Sequence, residues 1–443
     1  MTGNRSDWAV IGGGILGLTL ALRLAQKGQT VTVYEGADTI GGLVSTVKLA
    51  DVTWDRFYHV TLLSDSALLG LLRELDLEDH MEWVPTGTGL YAKGRLYPVS
   101  SAFDYLRLPV IGPISKVRIA ATVLRASRLD DWKALEQVSA KAWLTKWSGG
   151  AAYDSFWEPL LRSKLGDRHE EASAAFIWAI MQRLYAARRA GIKQDLFGYL
   201  PGGYGRIMSQ MEHALTEVGV EIRTGTSVES VHSAESGVEV VSSTGTDVFE
   251  GVVVTTPSPI ATRLVPQLTE AQRQAHDAVV YQGVVCVTLL MSQPLGGYYV
   301  TNITDPSFPF TGVIEMTAVV DPAHMGGRTL VHLPKYVAPD DDLFDMPDDE
   351  IRSGFIGALC KMYPSITDES IEAAVVSRAR HVMPLSTIGY SSNLPPMTTS
   401  VDGVHIVNTA HIVNGTLNVD ETIQLADRAS SELLSSSAHK VVK

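Results

Sequence analysis

The stretch WAVIGGGILGLTLALRLAQKG at residues 8–28 decides how this chain is read. Its hydropathy suits a secretory leader or a membrane span as well as a buried strand and helix. A secretory leader needs a basic start, an apolar run and a small-residue cleavage site, whereas here Asp7 abuts the apolar run and Arg23 interrupts it. Gly12, Gly14 and Gly17 follow the short strand-like WAVI, and Leu16, Leu20 and Leu24 then recur at helical spacing. The first glycine of such a pattern permits the tight turn, the second lets backbone approach a pyrophosphate, and the third lets helix and strand pack closely. The expected phosphate cradle is therefore Gly12, Gly14, Ile15, Leu16 and Gly17, with the diphosphate on the unpaired N–H groups at the positive end of the helix.

Past Gly28, TVTVYE reads as a second buried strand, and Glu35 at its end stands where a carboxylate accepts ribose hydroxyls. Strand, glycines, helix, strand and terminal acid predict a dinucleotide-binding βαβ unit; the bland alternative is a glycine-rich turn in an ordinary α/β unit. An acid at this point disfavours a 2′-phosphate and serves the ribose of FAD or NAD alike.

The remaining composition narrows the class. A chain of 443 residues exceeds one core, since single cores stop growing near about 250–300 residues. Hydrophobic residues at 45% and charged residues at 19% are ordinary for a globular protein. The net charge of -13 repels nucleic acid and anionic surfaces unless a local basic patch intervenes, so no nucleic-acid partner is expected. The densest basic run, RLYAARRAGIK, carries Arg183, Arg188, Arg189 and Lys193; it reads first as a solvated helix face and second as a site for an anionic substrate. Cys286 and Cys360 have neither CxxC nor His-rich spacing, so neither a disulfide framework nor a metal site is expected, and a reducing cytoplasm fits best.

The glycine pair Gly41 and Gly42 in EGADTIGGLVST extends the pattern. At this point the chain resembles the FAD-dependent superfamily of amine oxidases, protoporphyrinogen oxidases and phytoene and squalene desaturases, with UDP-galactopyranose mutases as more distant members. The resemblance implies that Gly41, Gly42 and Leu43 form a second loop approaching FAD; Leu43 replaces the usual basic residue. FGYLPGGYGRIMSQMEHALTEVGVEIRTGTSVESV is similar to the family's return to the FAD domain, with the Val228 backbone at the adenine, and Thr255 and Thr256 end the strand of FEGVVVTTPSPIATRLV. GVHIVNTAHIVNGTLNVDETIQLADRAS resembles the C-terminal flavin motif, with Asn408 and Thr409 after a strand and Asn418, Val419 and Asp420 opening a helix. The positive end of that helix would favour negative charge on a reduced ring.

The implied fold is α/β: a Rossmann-like FAD-binding domain of the GR2 type, assembled from residues 1–95, 196–265 and 400–443, with an inserted α+β substrate domain. The insertions are helical over 96–195 and β-rich over 266–399. The resemblance places a flavin-facing loop in VTWDRFYHVTLLSDSALLGLLREL, making His59, Tyr58 and Arg56 the catalytic candidates, against the reading of His59 as a structural residue. Lys164, Arg183, Tyr299, Glu315, Lys335 and Tyr336 are the substrate candidates; His332 is a further polar residue in the same strands, and each is as well explained as ordinary surface or core. Cys286 falls where many amine oxidases carry a lysine. LRLPVIGPISKVRIAATVLRASRL reads first as a buried helical layer, and otherwise as a peripheral membrane contact or a roof over a hydrophobic channel.

The implied activity is that of an FAD-dependent oxidoreductase moving a hydride from a substrate C–H bond to flavin N5. It would be of desaturase or oxidase type, acting on a small molecule, with oxygen or a second substrate as electron acceptor. A redox-neutral isomerase acting on a sugar nucleotide and a non-catalytic FAD-binding scaffold are the alternatives.

Overall fold

Five short strands form a parallel sheet in the order Val404–Ile406, Gly251–Val254, Trp8–Ile11, Val31–Tyr34, Glu221–Arg223. All four residues of Trp8–Ile11, Val31–Tyr34 and Gly251–Val254 are buried, as strands covered on both faces should be. This computed structural model describes residues 7–100, 102–189, 196–413 and 416–438. Of the basic run, Lys193 lies outside the described residues, as do the side chains of Arg188 and Arg189.

The register aligns Ile11 with Tyr34 and Val254, and Val254 with Ile406. The carboxyl ends of four strands therefore share one edge, where ligands bind in open α/β sheets. The sheet draws on residues 8–34, 221–254 and 404–406, so distant parts of the chain build one surface. Helices Ile15–Gln26, Gly203–Glu217 and Val419–Ala438 pack against it around Leu18, Leu20, Ile207, Met211, Ile423 and Ala426. Arg23 ties two helices together through Asp427 at 2.6 Å and also reaches Glu74 at 2.8 Å.

A second, seven-stranded sheet runs Ile371–Pro384, Tyr281–Met291, Thr329–Val337, Gly312–Glu315, Tyr298–Ile303, Gly87–Ala92, Arg95–Pro98. Its central strand Tyr281–Met291 is buried at every position. Val285, Val287 and Leu289 pack on Phe355 and Leu359 of helix Asp348–Met362, while Val284 and Cys286 face Phe57 on the other side. The expected limit of the first segment at residue 95 cuts through the hairpin 87–98, which belongs to this second sheet. Gly87 and Gly89 permit that pairing, because a Cβ on either would stand 3.2 or 3.1 Å from the Tyr298 ring.

Residues 102–189 form a helical layer with its own core of Trp143, Trp157, Leu161 and Phe176. The expectation that 106–129 is buried fails in part: helix Pro113–Ala126 buries Ile119, Thr122 and Ala126 but leaves Ile114 and Val117 exposed. Among the described residues no helix is long and apolar enough to cross a membrane. Leu289→Ala, at a fully buried position, is expected to cost about 2–5 kcal/mol in chemical denaturation. Val218→Ala, at an exposed one, should stay within about 0.5 kcal/mol.

Candidate active site

One cavity of about 450 Å³ opens at the carboxyl edge of the parallel sheet and runs beneath the second sheet. Gly12, Gly14, Ile15, Leu16 and Gly17 line one end, with Gly41, Gly42 and Leu43, Thr255 and Thr256, and Thr409, Asn418 and Val419 around them. Glycine is required here by contact. A Cβ on Gly17 would lie 2.0 Å from the Gly12 carbonyl oxygen, and one on Gly12, at φ +116, would lie 2.6 Å from Thr255 Oγ1. That hydroxyl donates to the Ile11 carbonyl at 2.9 Å and holds the turn. A Cβ on Gly14 would meet no protein atom within 4 Å and would take up open space at the wall. The helix Val419–Ala438 begins at the same end, with Asn418 Oδ1 accepting the Glu421 N–H at 3.0 Å.

The other end is aromatic. Phe57, Tyr58, His59, Val284, Tyr299, Tyr336, Val382 and Met383 line it. The Tyr58 and Tyr336 hydroxyls are hydrogen-bonded at 2.6 Å, and burial pushes the Tyr58 phenol far above its ordinary range. Burial lowers His59 to about 4 against the pull of a Phe57 backbone hydrogen bond, so its ring, 4.9 Å from that of Tyr204, is neutral at pH 7. His332 is lowered to about 3 by burial, with the nearby His59 adding to the effect, and its Nδ1 meets Thr288 Oγ1 at 3.0 Å. Lys164 is exposed, with Nζ 5.7 Å from the centre of the Tyr336 ring. Arg183 lines the cavity but is already engaged, its Nη2 donating to both oxygens of buried Asp65 at 3.1 and 3.0 Å.

A family model described as flavin containing amine oxidoreductase matches residues 16–433. The chain belongs to this family. A carotenoid phi-ring synthase from Streptomyces griseus is 29% identical over 305 residues, covering 62% of this chain and 58% of the relative; the chain thus spans less than two thirds of that protein's length. An oxidoreductase from Methanosarcina mazei shares the fold with a TM-score of 0.75 at 17% identity, over 96% of this chain and all of the other. A reduced UDP-galactopyranose mutase does so at 0.75 and 15%, over 97% and 96%. Membership places the chain among FAD-dependent oxidoreductases, and the glycine end fits that cofactor, since the three-glycine turn, the Gly41–Gly42 loop and two helix N-termini converge on one open space.

Six expected site residues stand away from the cavity wall. Glu35 turns toward the glycine loop, accepting the Gly13 N–H at 2.7 Å and the Ala37 N–H at 2.8 Å. Asn408 is buried as a strut: its Nδ2 donates to the Thr256 carbonyl at 3.1 Å and its Oδ1 accepts from Ala410. Val228 starts a strand of a separate three-stranded sheet. Arg56 lies over the Phe57 ring at 5.8 Å. Glu315, expected at the substrate, is buried and accepts three successive backbone N–H groups, from Leu295, Gly296 and Gly297, at 2.8–3.1 Å. Such a run of N–H groups makes an anion-binding nest, and it consumes the carboxylate. Lys335 alternates with Tyr336 along strand Thr329–Val337, so the pleat sends the two side chains to opposite faces.

Cys286 is fully buried beside Phe57 and Val284, and burial pushes its thiol up to about 12; it supplies no cation in place of a lysine. The sequence analysis missed two acids, Asp55 and Asp65, and named a third, Asp420, only as opening a helix. Asp65 pairs with Arg183, and Asp420 Oδ1 accepts the Ala67 and Leu68 N–H groups at the start of helix Ser66–Glu74. Asp55, fully buried, accepts the Tyr204 N–H at 2.8 Å at the start of helix Gly203–Glu217 and is pushed up to about 8 by burial. None carries a local signal, because each partner is remote in sequence.

Gly17→Ala should yield a folded protein by circular dichroism that purifies colourless, with FAD affinity reduced by tenfold or more. Asp55 holds its proton in the fold at pH values where the unfolded carboxyl, near about 3.9, has lost it. Its contribution is therefore fullest below about pH 4 and fades as pH rises toward 8. In thermal unfolding, Asp55→Asn should gain on the wild type steadily between pH 5 and pH 8.

Proposed function

We propose that the chain oxidises an apolar small molecule, taking a hydride from one C–H bond while the adjacent carbon or nitrogen gives up a proton to solvent, to leave a C=C or C=N bond. The observation that carries this reading is a single cavity joining the glycine cradle to a chamber walled by aromatic and aliphatic side chains. Bound FAD supplies the hydride acceptor and the later return of electrons to oxygen or a second substrate. The protein's own residues bind, orient and exclude water. Phe57, Val284 and Met383 supply apolar contact, and the Tyr58–Tyr336 pair fixes two rings against one another. His59, which burial holds neutral, neither repels an apolar substrate nor offers a charge for water to solvate.

Redox-neutral isomerisation of a sugar nucleotide is the second reading, supported by the fold shared with the mutase. The charge pattern weighs against it. Arg183 is neutralised by Asp65, and Lys164 stands exposed at the rim, so a diphosphate would meet little compensating charge in the chamber.

Anaerobic mixing of the FAD-loaded protein with a panel of lipophilic polyenes and amines is expected to bleach the oxidised flavin band with at least one class. Tyr336→Phe should slow that reduction by about tenfold without changing flavin content. A spectrum unmoved by the whole panel but shifted by UDP-sugars would favour isomerisation instead.

A further inference from the structure

Helix Pro113–Ala126 presents an outward face that the reaction does not explain. Ile114, Val117 and Leu124 recur at helical spacing and are 77%, 69% and 44% exposed, and Phe103 on the neighbouring helix Ala102–Arg107 is 58% exposed. These are four of the seven large apolar side chains exposed among the described residues, so the exposure is concentrated rather than scattered. The charge around them is predominantly basic. Residues 102–131 hold Arg107, Lys116, Arg118, Arg125 and Arg128 against Asp104, Asp130 and Asp131 at the two ends, and helix Pro113–Ala126 itself carries no carboxylate, in a chain whose net charge is -13. Two of these guanidinium groups lie on aromatic rings, Arg107 over Phe103 at 3.9 Å and Arg125 over Trp147 at 3.7 Å.

We infer that this face docks on an anionic lipid bilayer, the helix lying in the interface with its aliphatic side chains inserted and its arginines at the phosphates. A helix with aliphatic residues on its outer face and flanking cations binds bilayers in this way, and long basic side chains keep their heads in the polar layer. A protein partner fits less well. A stable protein interface covers about 800 Å² on each side with matched shape, whereas a single helical strip offers a narrow ridge. A bilayer requires no shape match and supplies the negative charge that the rest of this acidic chain would repel. The face also adjoins the cavity wall. Trp178 and Gln182 of helix Ala174–Arg189 donate to the Leu129 and Ala126 carbonyls at 2.9 and 3.0 Å, and Arg183 on the same helix lines the cavity.

The inference rests on the exposed helix alone and is tested without turnover. The full FAD-loaded chain is sedimented with vesicles of phosphatidylcholine, or of phosphatidylcholine with about one phosphatidylglycerol in three. Pelleting with the anionic vesicles is expected, several-fold weaker in high salt and weaker still on phosphatidylcholine alone. The double variant Ile114→Asp, Val117→Asp should remain in the supernatant with wild-type flavin content. Arg118→Gln with Arg125→Gln should lose about thirtyfold in affinity for the anionic vesicles. Wild-type protein that stays in the supernatant at low salt, or equal pelleting by the aspartate variant, would overturn the inference. So would a concentration-dependent dimer in light scattering that the aspartate substitutions break, with no vesicle binding.

Discussion

The approach of helix Ile15–Gln26 to the turn that precedes it is the constraint on which the site depends. Gly17 sits so close to the Gly12 carbonyl that a single methyl group would fall inside contact distance. That closeness aims the helix N-terminus, with its unpaired N–H groups and positive end, at the carboxyl edge of the sheet. Thr255 secures it from the neighbouring strand by bonding the Ile11 carbonyl, and Asn408 from a third strand secures Thr256 in turn. Segments hundreds of residues apart therefore hold one turn in one geometry.

Buried acids do the joining elsewhere. Asp55 connects the loop that carries Tyr58 and His59 to the start of helix Gly203–Glu217, and Asp65 connects the following helix to Arg183 in the helical layer. Asp420 connects the last helix to the start of helix Ser66–Glu74. A buried acid needs donors: backbone N–H groups at helix starts provide them for Asp55 and Asp420, and the Leu62 N–H with the Arg183 guanidinium for Asp65. The result is a cavity whose acids and its arginine are largely committed to structure. Its aromatic end holds His59, which burial keeps neutral, and His381, whose pKa burial also lowers, with Lys164 as the nearby cation.

The cofactor half was legible because its signals are local. Strand, glycine turn, helix and terminal acid occur within residues 8–35, and the physical reason for each glycine can be stated before any partner is known. Gly41 and Gly42, Thr255 and Thr256, and Asn418 and Val419 are reached through the family resemblance of the stretches that hold them, and all line the cavity. The substrate half was legible only in part. Tyr58, His59, Tyr299 and Tyr336 meet there, but Lys335, beside Tyr336, and Glu315, on strand Gly312–Glu315, do not. One residue's difference along a pleat sends a side chain to the other face, and a loop with three free N–H groups captures a carboxylate that sequence alone leaves unassigned.

By itself the sequence determined the βαβ cradle, the parallel character of the strands around it and a dinucleotide as its ligand, because short-range periodicity and steric need fix these within a few dozen residues; the choice of FAD came from the family resemblance. Only the tertiary structure decided which acids are struts, that Arg183 is paired, that the hairpin 87–98 belongs to the second sheet and that one face of helix Pro113–Ala126 is left bare. Those outcomes depend on which remote surfaces meet, and the burial, pairing and charge of a side chain follow from the neighbours it acquires, not from the residues beside it in the chain.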